Sequence, residues 1–373
     1  MTQVIAASSS RLPVLPYGLV VRHAVILGGT GAIGWATARR LAAAGWQVVV
    51  SGRDPERVPD GLADLGALFV KGDRHDPKSL AAILSPGADL VVDCACYTAA
   101  HASELLPYLT DVTSTVMISS KAVYVDEEGR HSNSDESPCF AGPIGEGQPT
   151  LRPNGADYDS KEGYGPNKVA AEEVFLAAEH PVTILRPSKV HGAWSRQPRE
   201  WHFVERVLDR RPVVLLARSG AGADHPSAAS NIAALIETVA ARPGRRVLNI
   251  ADPDCPDGRT IAATIATHLG HSWREILLDG TAPAGLGRHP WDRLPPVVLD
   301  TTAALQLGYA AVGSYADTAA DVIDWLASGR ASRPSAPSPS RDAPGPANYA
   351  AEDEYLRRLG ACERPPLSPT AGA

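Results

Sequence analysis

The chain has little of what holds small secreted folds together. Cysteine occurs five times in 373 residues, methionine twice and phenylalanine four times. Cys94, Cys96, Cys139, Cys255 and Cys362 are odd in number and scattered, which excludes a disulfide framework and reads as reduced thiols in a cytoplasmic protein. Cys94 and Cys96 lack a second pair of ligands at metal-binding spacing, so no metal is expected. Positive charge is not in excess: 35 basic against 42 acidic residues leave −7. No basic run is long enough to track a polyphosphate, which argues against a nucleic-acid partner. Nor does any apolar stretch approach the roughly 18 residues of a membrane span. What is present is a 44% hydrophobic content, enough at this length for one large α/β domain or one with a smaller lobe.

Strand-like apolar runs at Ala24–Leu27, Gln47–Ser51, Leu65–Val70, Ala88–Asp93, Thr115–Ser119 and Val182–Arg186 alternate with helical patterns at Ile33–Ala44, Pro77–Leu84 and Asn167–Ala178. Such alternation predicts a parallel sheet covered on both faces. Further on, Glu200–Asp209, Asn231–Ala240, Thr260–Leu269 and Tyr315–Leu326 read as helices and Val247–Ile250 as a strand. Residues 1–20, broken by Pro13 and Pro16, read as a loose extension rather than a signal peptide. Residues 328–348 are crowded with Pro, Ser, Gly and Ala, the composition of a linker. A helix-like stretch at Tyr349–Leu359 follows and is expected to dock back on the body.

Between the first strand and the first helix lies Gly28-Gly29-Thr30-Gly31-Ala32-Ile33-Gly34. It fits G-x-G-x-x-G from Gly29 and G-x-x-G-x-x-G from Gly28. Glycine is needed for the tight turn, for close approach of a pyrophosphate and for packing of helix on strand. The helix N-terminus then offers free N–H groups and partial positive charge to the phosphates. Placed between strand and helix, the turn predicts a dinucleotide site. The second strand ends in Ser51-Gly52-Arg53-Asp54, where an NAD-binding fold usually carries a carboxylate for the ribose hydroxyls. Gly52 has no side chain and Arg53 can pair with a 2′-phosphate, which leans toward NADP; a solvated Arg53, with Asp54 on the ribose of NAD, is the alternative. After the third strand, Gly72-Asp73-Arg74 places Asp73 either on the adenine amino group or in a turn, and Arg74 beside it. Cys96, Tyr97 and His101, after the fourth strand, are candidates to line the cleft.

Tyr164-Gly165-Pro166-Asn167-Lys168 sets a tyrosine and a lysine four apart, on one helix face. Free tyrosine has a pKa of about 10. An adjacent ammonium and a nicotinamide cation would favour the phenolate, a base able to accept a hydroxyl proton as hydride leaves carbon. Upstream, Val116–Ser120 reads as a buried strand ending in hydroxyls, and strand C-termini face the cofactor cleft in a doubly wound sheet. Ser120 is positioned to hydrogen-bond a substrate oxygen; Ser119 reads as structural.

Together these residues resemble the extended short-chain dehydrogenase/reductase family, also described as the NAD-dependent epimerase/dehydratase family. The resemblance rests on Gly28–Gly34, Gly72-Asp73, Ser119-Ser120 with Val123-Tyr124, Tyr164–Lys168 with Ala170-Ala171-Glu172, Leu185-Arg186-Pro187 and Val247–Ala251, over about residues 23–327. It implies a Rossmann-type doubly wound sheet at 21–192, to which the strand near 247–251 returns, and a smaller substrate-binding lobe mainly at 193–327. It also implies a Ser120-Tyr164-Lys168 triad and a homodimer. Pro187 falls in the cofactor contacts, and Ser188, Lys189 and His191 become pocket candidates, although a lone His191 also fits a structural role.

The sequence departs from its family just after the triad hydroxyl. Dehydratases acting at the 4,6 positions of sugar nucleotides carry two acidic residues there; here Lys121 and Ala122 stand in their place. Lys121 is either a proton donor or solvated. The stretch Asp126–Gly163 is long and reads as a lid or substrate loop. The expected function is an NAD(P)-dependent enzyme that transiently oxidises a sugar-like substrate, a nucleotide sugar or nucleoside, and then epimerises it or removes water. An NADP-dependent ketone reductase or alcohol dehydrogenase is the alternative. A dinucleotide-dependent RNA-binding regulator is a third class, disfavoured by the Tyr164/Lys168 pair and the acidic net charge.

Overall fold

A computed structural model describes residues 21–280, 285–329 and 347–362. The expected extension at 1–20 and most of the linker at 328–348 lie outside the described residues. The first strand, β1 (His23–Leu27), is apolar on both faces: Val25 and Leu27 enter one core cluster, Ala24 and Ile26 the other. That double burial is the mark of a parallel sheet covered on both sides. β2 (Gln47–Gly52), β3 (Leu68–Lys71), β4 (Leu90–Asp93), β5 (Ser114–Ile118), β6 (Val182–Pro187) and β10 (Arg246–Ile250) complete a seven-stranded sheet in the order β10-β6-β5-β4-β1-β2-β3. Every neighbouring pair in it is parallel.

Helices α1 (Ala32–Ala43) and α6 (Ala229–Ala241) cover one face through Trp35, Leu41, Ile232 and Leu235. On the other face lie α2 (Pro77–Leu84), α3 (Ala99–Leu105) and α4 (Lys161–Ala177), which bury Leu80, Leu105, Ala171 and Phe175. Burying one such leucine or phenylalanine contributes about 1.5–3 kcal/mol. The fold is the Rossmann-type doubly wound sheet that the alternation predicts.

A separate core gathers α5 (Trp201–Leu208), α7 (Gly258–His268), α9 (Tyr315–Thr318) and α10 (Ala320–Ala327) around Phe203, Trp291, Ile265 and Ile323. Two short parallel pairs accompany it: β7 (Lys189–His191) with β9 (Pro226–Ala228), and β8 (Val213–Leu216) with β11 (Arg274–Leu277). These strands of three and four residues escape a sequence reading because they are too short to show alternation. So does the five-residue α8 (Thr302–Gln306). The last described helix, α11 (Tyr349–Cys362), docks as expected: Arg206 bonds Glu352 at 2.6 Å in a buried pair, and Tyr355 and Leu356 pack against Leu215 and Leu278.

α4 is longer than the expected Asn167–Ala178 segment and begins at Lys161. Ser160 caps it by accepting from the Gly163 N–H at 3.0 Å, as helix N-caps do. Pro166 lacks the N–H that would bond Glu162 O, and the Asn154 amide donates to that carbonyl instead at 3.2 Å. Tyr164 sits in the first turn, one turn before Lys168 on the same face.

Candidate active site

The C-terminal edges of β1, β2 and β4 open onto one cleft, lined by Gly28, Thr30–Gly34, Ser51–Arg53, Gly72–His75, Cys94, Ala95, Tyr97, Val190, Ser195 and Arg196. The glycines of the turn have separate duties. Gly28 holds a φ of +70°, a left-handed conformation that glycine adopts without strain. A Cβ on Gly34 would fall 2.3 Å from Gly29 Cα, so this position lets helix meet turn. A Cβ on Gly31, by contrast, would meet nothing within 4 Å. Gly31 caps α1 and borders the cleft, leaving the helix N-terminus open to an anion. That is the shape a dinucleotide pyrophosphate requires. Gly29 is packing instead: its Cβ would meet Val50 Cγ1 at 2.6 Å.

Arg53 is exposed on the cleft rim and makes no ion pair among the described residues. Gly52 beside it is tight, because a Cβ there would lie 2.9 Å from Thr30 Cγ2. Asp73 lines the cleft while accepting from the His75 N–H at 3.0 Å, so the turn role and the cleft position coexist. Arg74 also lines the cleft, and its guanidinium bonds the buried Asp93 at 2.6 and 2.9 Å and the His101 carbonyl at 2.6 Å. It ties the end of β3 to β4 and α3. Cys96 is a correction: its side chain is fully buried in the core, while Cys94 lines the cleft. Burial pushes both thiols up to about 12, so they stay protonated.

α4 presents Tyr164, Lys168 and Glu172 on one face at successive turns. Two glycines flank the tyrosine. A Cβ on Gly163 would strike Asp157 O at 2.0 Å, and one on Gly165 would meet Ala122 O at 2.8 Å, so the loop and the turn after β5 close directly on the helix. This brings Tyr164 beside Ser120, whose side chain lowers the phenol's pKa. Lys168 is buried, and its ammonium donates to Cys96 O at 2.6 Å and Ile118 O at 2.8 Å, the chain ends of β4 and β5. It lies 4.3 Å from the Tyr97 ring centroid and 6.0 Å from that of Tyr164. Below them Glu172 accepts from Ser119 and from Arg186, whose Nε lies at 3.0 Å, in a buried network. Ser119 is structural, as expected.

Burial raises the Tyr164 phenol above its usual value, opposed by the Ser120 side chain and the Arg199 charge. Lys168 spends its N–H groups on carbonyls and acts as a brace. Tyr97 is raised by burial too, with Lys168 and Arg196 pulling it down. It stacks on Tyr158 at 5.4 Å, while its N–H donates to His101 Nδ1 at 3.2 Å. Burial, with the His75 and Arg74 charges, lowers His101 to about 4, so its ring is neutral.

In the turn after β5, Lys121 is neither solvated nor a free proton donor: it is buried and ion-paired with Asp224. Lys189 approaches the same carboxylate at 3.3 Å and Pro290 O at 2.9 Å, and Arg293 lies at 3.8 Å. The pairing of Lys189 with Pro226 across β7 and β9 brings these groups together. Ser188 keeps a buried hydroxyl without a partner among the described residues. His191 turns inward, bonded to Asp252 at 2.7 Å beneath Tyr315, which fits the structural reading. Pro187 is buried at the end of β6. The 126–163 stretch is a built structure. Asp126, which burial raises but backbone N–H groups and Arg130 pull down to about 2, organises its first turn. Arg293 holds Ser132 O at 2.9 Å, and Ile144 bridges to Leu299.

The profile of the NAD dependent epimerase/dehydratase family matches residues 24–222. The chain belongs to this family. Solved structures of other members share its fold. A dTDP-glucose 4,6-dehydratase from Bacillus anthracis in complex with NAD superposes with a TM-score of 0.62 at 14% identity, covering 83% of this chain and 98% of its own. A UDP-glucuronic acid 4-epimerase from Bacillus cereus, in complex with UDP-glucuronic acid and NAD, gives 0.60 at 16% over 82% and 98%. The Thermus thermophilus UDP-glucose 4-epimerase complex with NAD gives 0.60 at 17% over 82% and 99%. No curated protein matches the chain.

Within this family member, the glycine turn, Arg53, Asp73 and Tyr97 share one cleft, and Ser120, Tyr164 and Lys168 gather at its sheet edge. Sequence reasoning missed Ser195, Arg196, Asp224 and Arg293, which no local motif marks. Among the described residues no helix is long and apolar enough to cross a membrane, and no group of three or more metal-ligating side chains forms.

Proposed function

We propose that the protein is an NAD(P)-dependent enzyme that modifies a sugar-like substrate, a nucleotide sugar or nucleoside, by epimerisation through transient oxidation. The observation that carries this reading is Lys168, braced between Cys96 O and Ile118 O and 4.3 Å from the ring of the cleft-lining Tyr97, with Tyr164 one helical turn before it. The open space at Gly31 and the N-terminus of α1 fit a dinucleotide. That cofactor, when bound, supplies a hydride acceptor that afterwards gives the hydride back. Tyr164 Oη takes the proton of a substrate hydroxyl and later returns it. Ser120 Oγ fixes the phenol and offers a hydrogen bond to the same substrate oxygen. Lys168 holds the strand ends in place, and Ser188 Oγ is available for a polar contact.

Epimerisation is favoured over water loss because Lys121, at the place of the dehydratase acids, is locked to Asp224. The neighbour solved with UDP-glucuronic acid and NAD supports the substrate class. A second reading, reduction of a ketone with NADPH, draws on the bare Gly52 and the unpaired Arg53. Mass analysis of products from a panel of nucleotide sugars and nucleosides separates the two. Unchanged mass supports the epimerase, two added hydrogens the reductase, and a lost water overturns the reading of Lys121.

A further inference from the structure

Arg196 lines the dinucleotide cleft, is exposed and makes no ion pair among the described residues. The turn that presents it is unusual. Trp194, two residues before it, holds a φ of +66°, a left-handed conformation that costs a bulky side chain of order 1–3 kcal/mol. Such strain persists only where the surroundings enforce it, and here they do: the Trp194 ring lies 6.0 Å from that of Trp325, and the Ala193 N–H donates to Asp321 at 3.2 Å. The same turn crosses the start of α1. Gly192 has a φ of +141°, and a Cβ on it would lie 3.6 Å from Ala32 Cβ, the first residue of that helix. The strained turn thus sets an arginine without an ion pair among the described residues on the cleft that Gly31 also lines. Its charge reaches far enough into the cleft to act on the Tyr97 phenol.

We propose that Arg196 is a clamp on the cofactor's pyrophosphate, reaching it from the turn that crosses the start of α1 and setting how long the dinucleotide stays bound. The proposal rests on the reading of this cleft as a dinucleotide site. A guanidinium suits the task because it offers a fork of N–H donors to phosphate oxygens. A clamp of this kind also fits the proposed function: an enzyme that recovers its hydride gains from slow cofactor exchange, whereas a reductase must release its cofactor at each turnover.

The test compares the full chain with R196A and R196K, measuring NAD release and the affinities for NAD, NADP, ADP and adenosine. Loss of one charge-assisted hydrogen-bonding group predicts that R196A binds NAD, NADP and ADP roughly 10- to 100-fold more weakly. NAD release should quicken in proportion and adenosine binding stay unchanged, with R196K intermediate. NAD and ADP binding unaltered by R196A overturns the clamp. So does an equal loss for adenosine, which has no phosphate, or a loss confined to NADP, which would move Arg196 to the 2′-phosphate. A wild-type chain that binds neither NAD nor NADP overturns the reading of the cleft itself, and is distinguished because it precedes any variant.

Discussion

Two regions of the molecule are built differently. At the cleft the working parts are backbone: a helix N-terminus opened by Gly31, and the Cys96 and Ile118 carbonyls that grip Lys168. The buried cluster about Asp224 is made of side chains gathered from distant segments, Lys121, Lys189 and Arg293, with Lys189 reaching a carbonyl 101 residues away. A backbone device tolerates little change in chain geometry and leaves a local signature. A side-chain cluster is free to exchange its members and leaves none.

Substitutions can break this comparison. The largest effect should come from Tyr164→Phe, which removes the proton acceptor: turnover falls between about a hundredfold and ten-thousandfold, while NAD affinity by calorimetry stays that of wild type. Glu172→Ala strands the buried Arg186 and should cost about 3–5 kcal/mol in denaturant unfolding. The glycines sharpen the contrast within the cleft. Gly34→Ala forces a Cβ against Gly29 and should lower stability by about 1–3 kcal/mol as well as weaken NAD. Gly31→Ala should leave the melting temperature unchanged and weaken NAD alone. In the buried cluster, Asp224→Asn releases Lys121 and should raise substrate KM severalfold with NAD affinity unaltered; a matching loss of NAD affinity would erase the distinction between the two regions.

The smallest effect is on pH dependence. The Ser120 side chain opposes the burial that raises the Tyr164 phenol. Ser120→Ala should therefore move the phenol further up, shifting the rising limb of kcat/KM to more alkaline pH. Activity would then fall more near neutrality than in alkali. A limb that stays in place, or moves toward acid, would remove Ser120 from that role.

Legibility in the sequence follows the same division. Strand–helix alternation reveals the central sheet because β1, β4 and β5 are buried on both faces. The turn from Gly28 to Gly34 and the pair Tyr164/Lys168 are local, so spacing is enough to find them. The first turn of α4 escapes the apolar pattern because it is Ser160, a cap outside the helix, and Asn154 that satisfy its backbone. Arg74 is legible by position but not by partner, because its counter-ion Asp93 arrives from another strand. Lys121 remains ambiguous until Asp224 is placed beside it. Arg196 leaves no mark at all, because what distinguishes it is the left-handed backbone at Trp194.

The central claim is that a phenol at this cleft serves a nicotinamide that lends its charge and recovers it. The most direct test mixes NAD-loaded enzyme with a substrate it converts and follows the near-ultraviolet absorbance of reduced nicotinamide through a single turnover, for wild type and Tyr164→Phe. Wild type should show the signal rise and fall back to its starting level as product of unchanged mass forms, and the variant should show no rise. Stoichiometric change in cofactor with each product, or the same rise and fall in the variant, would contradict the account.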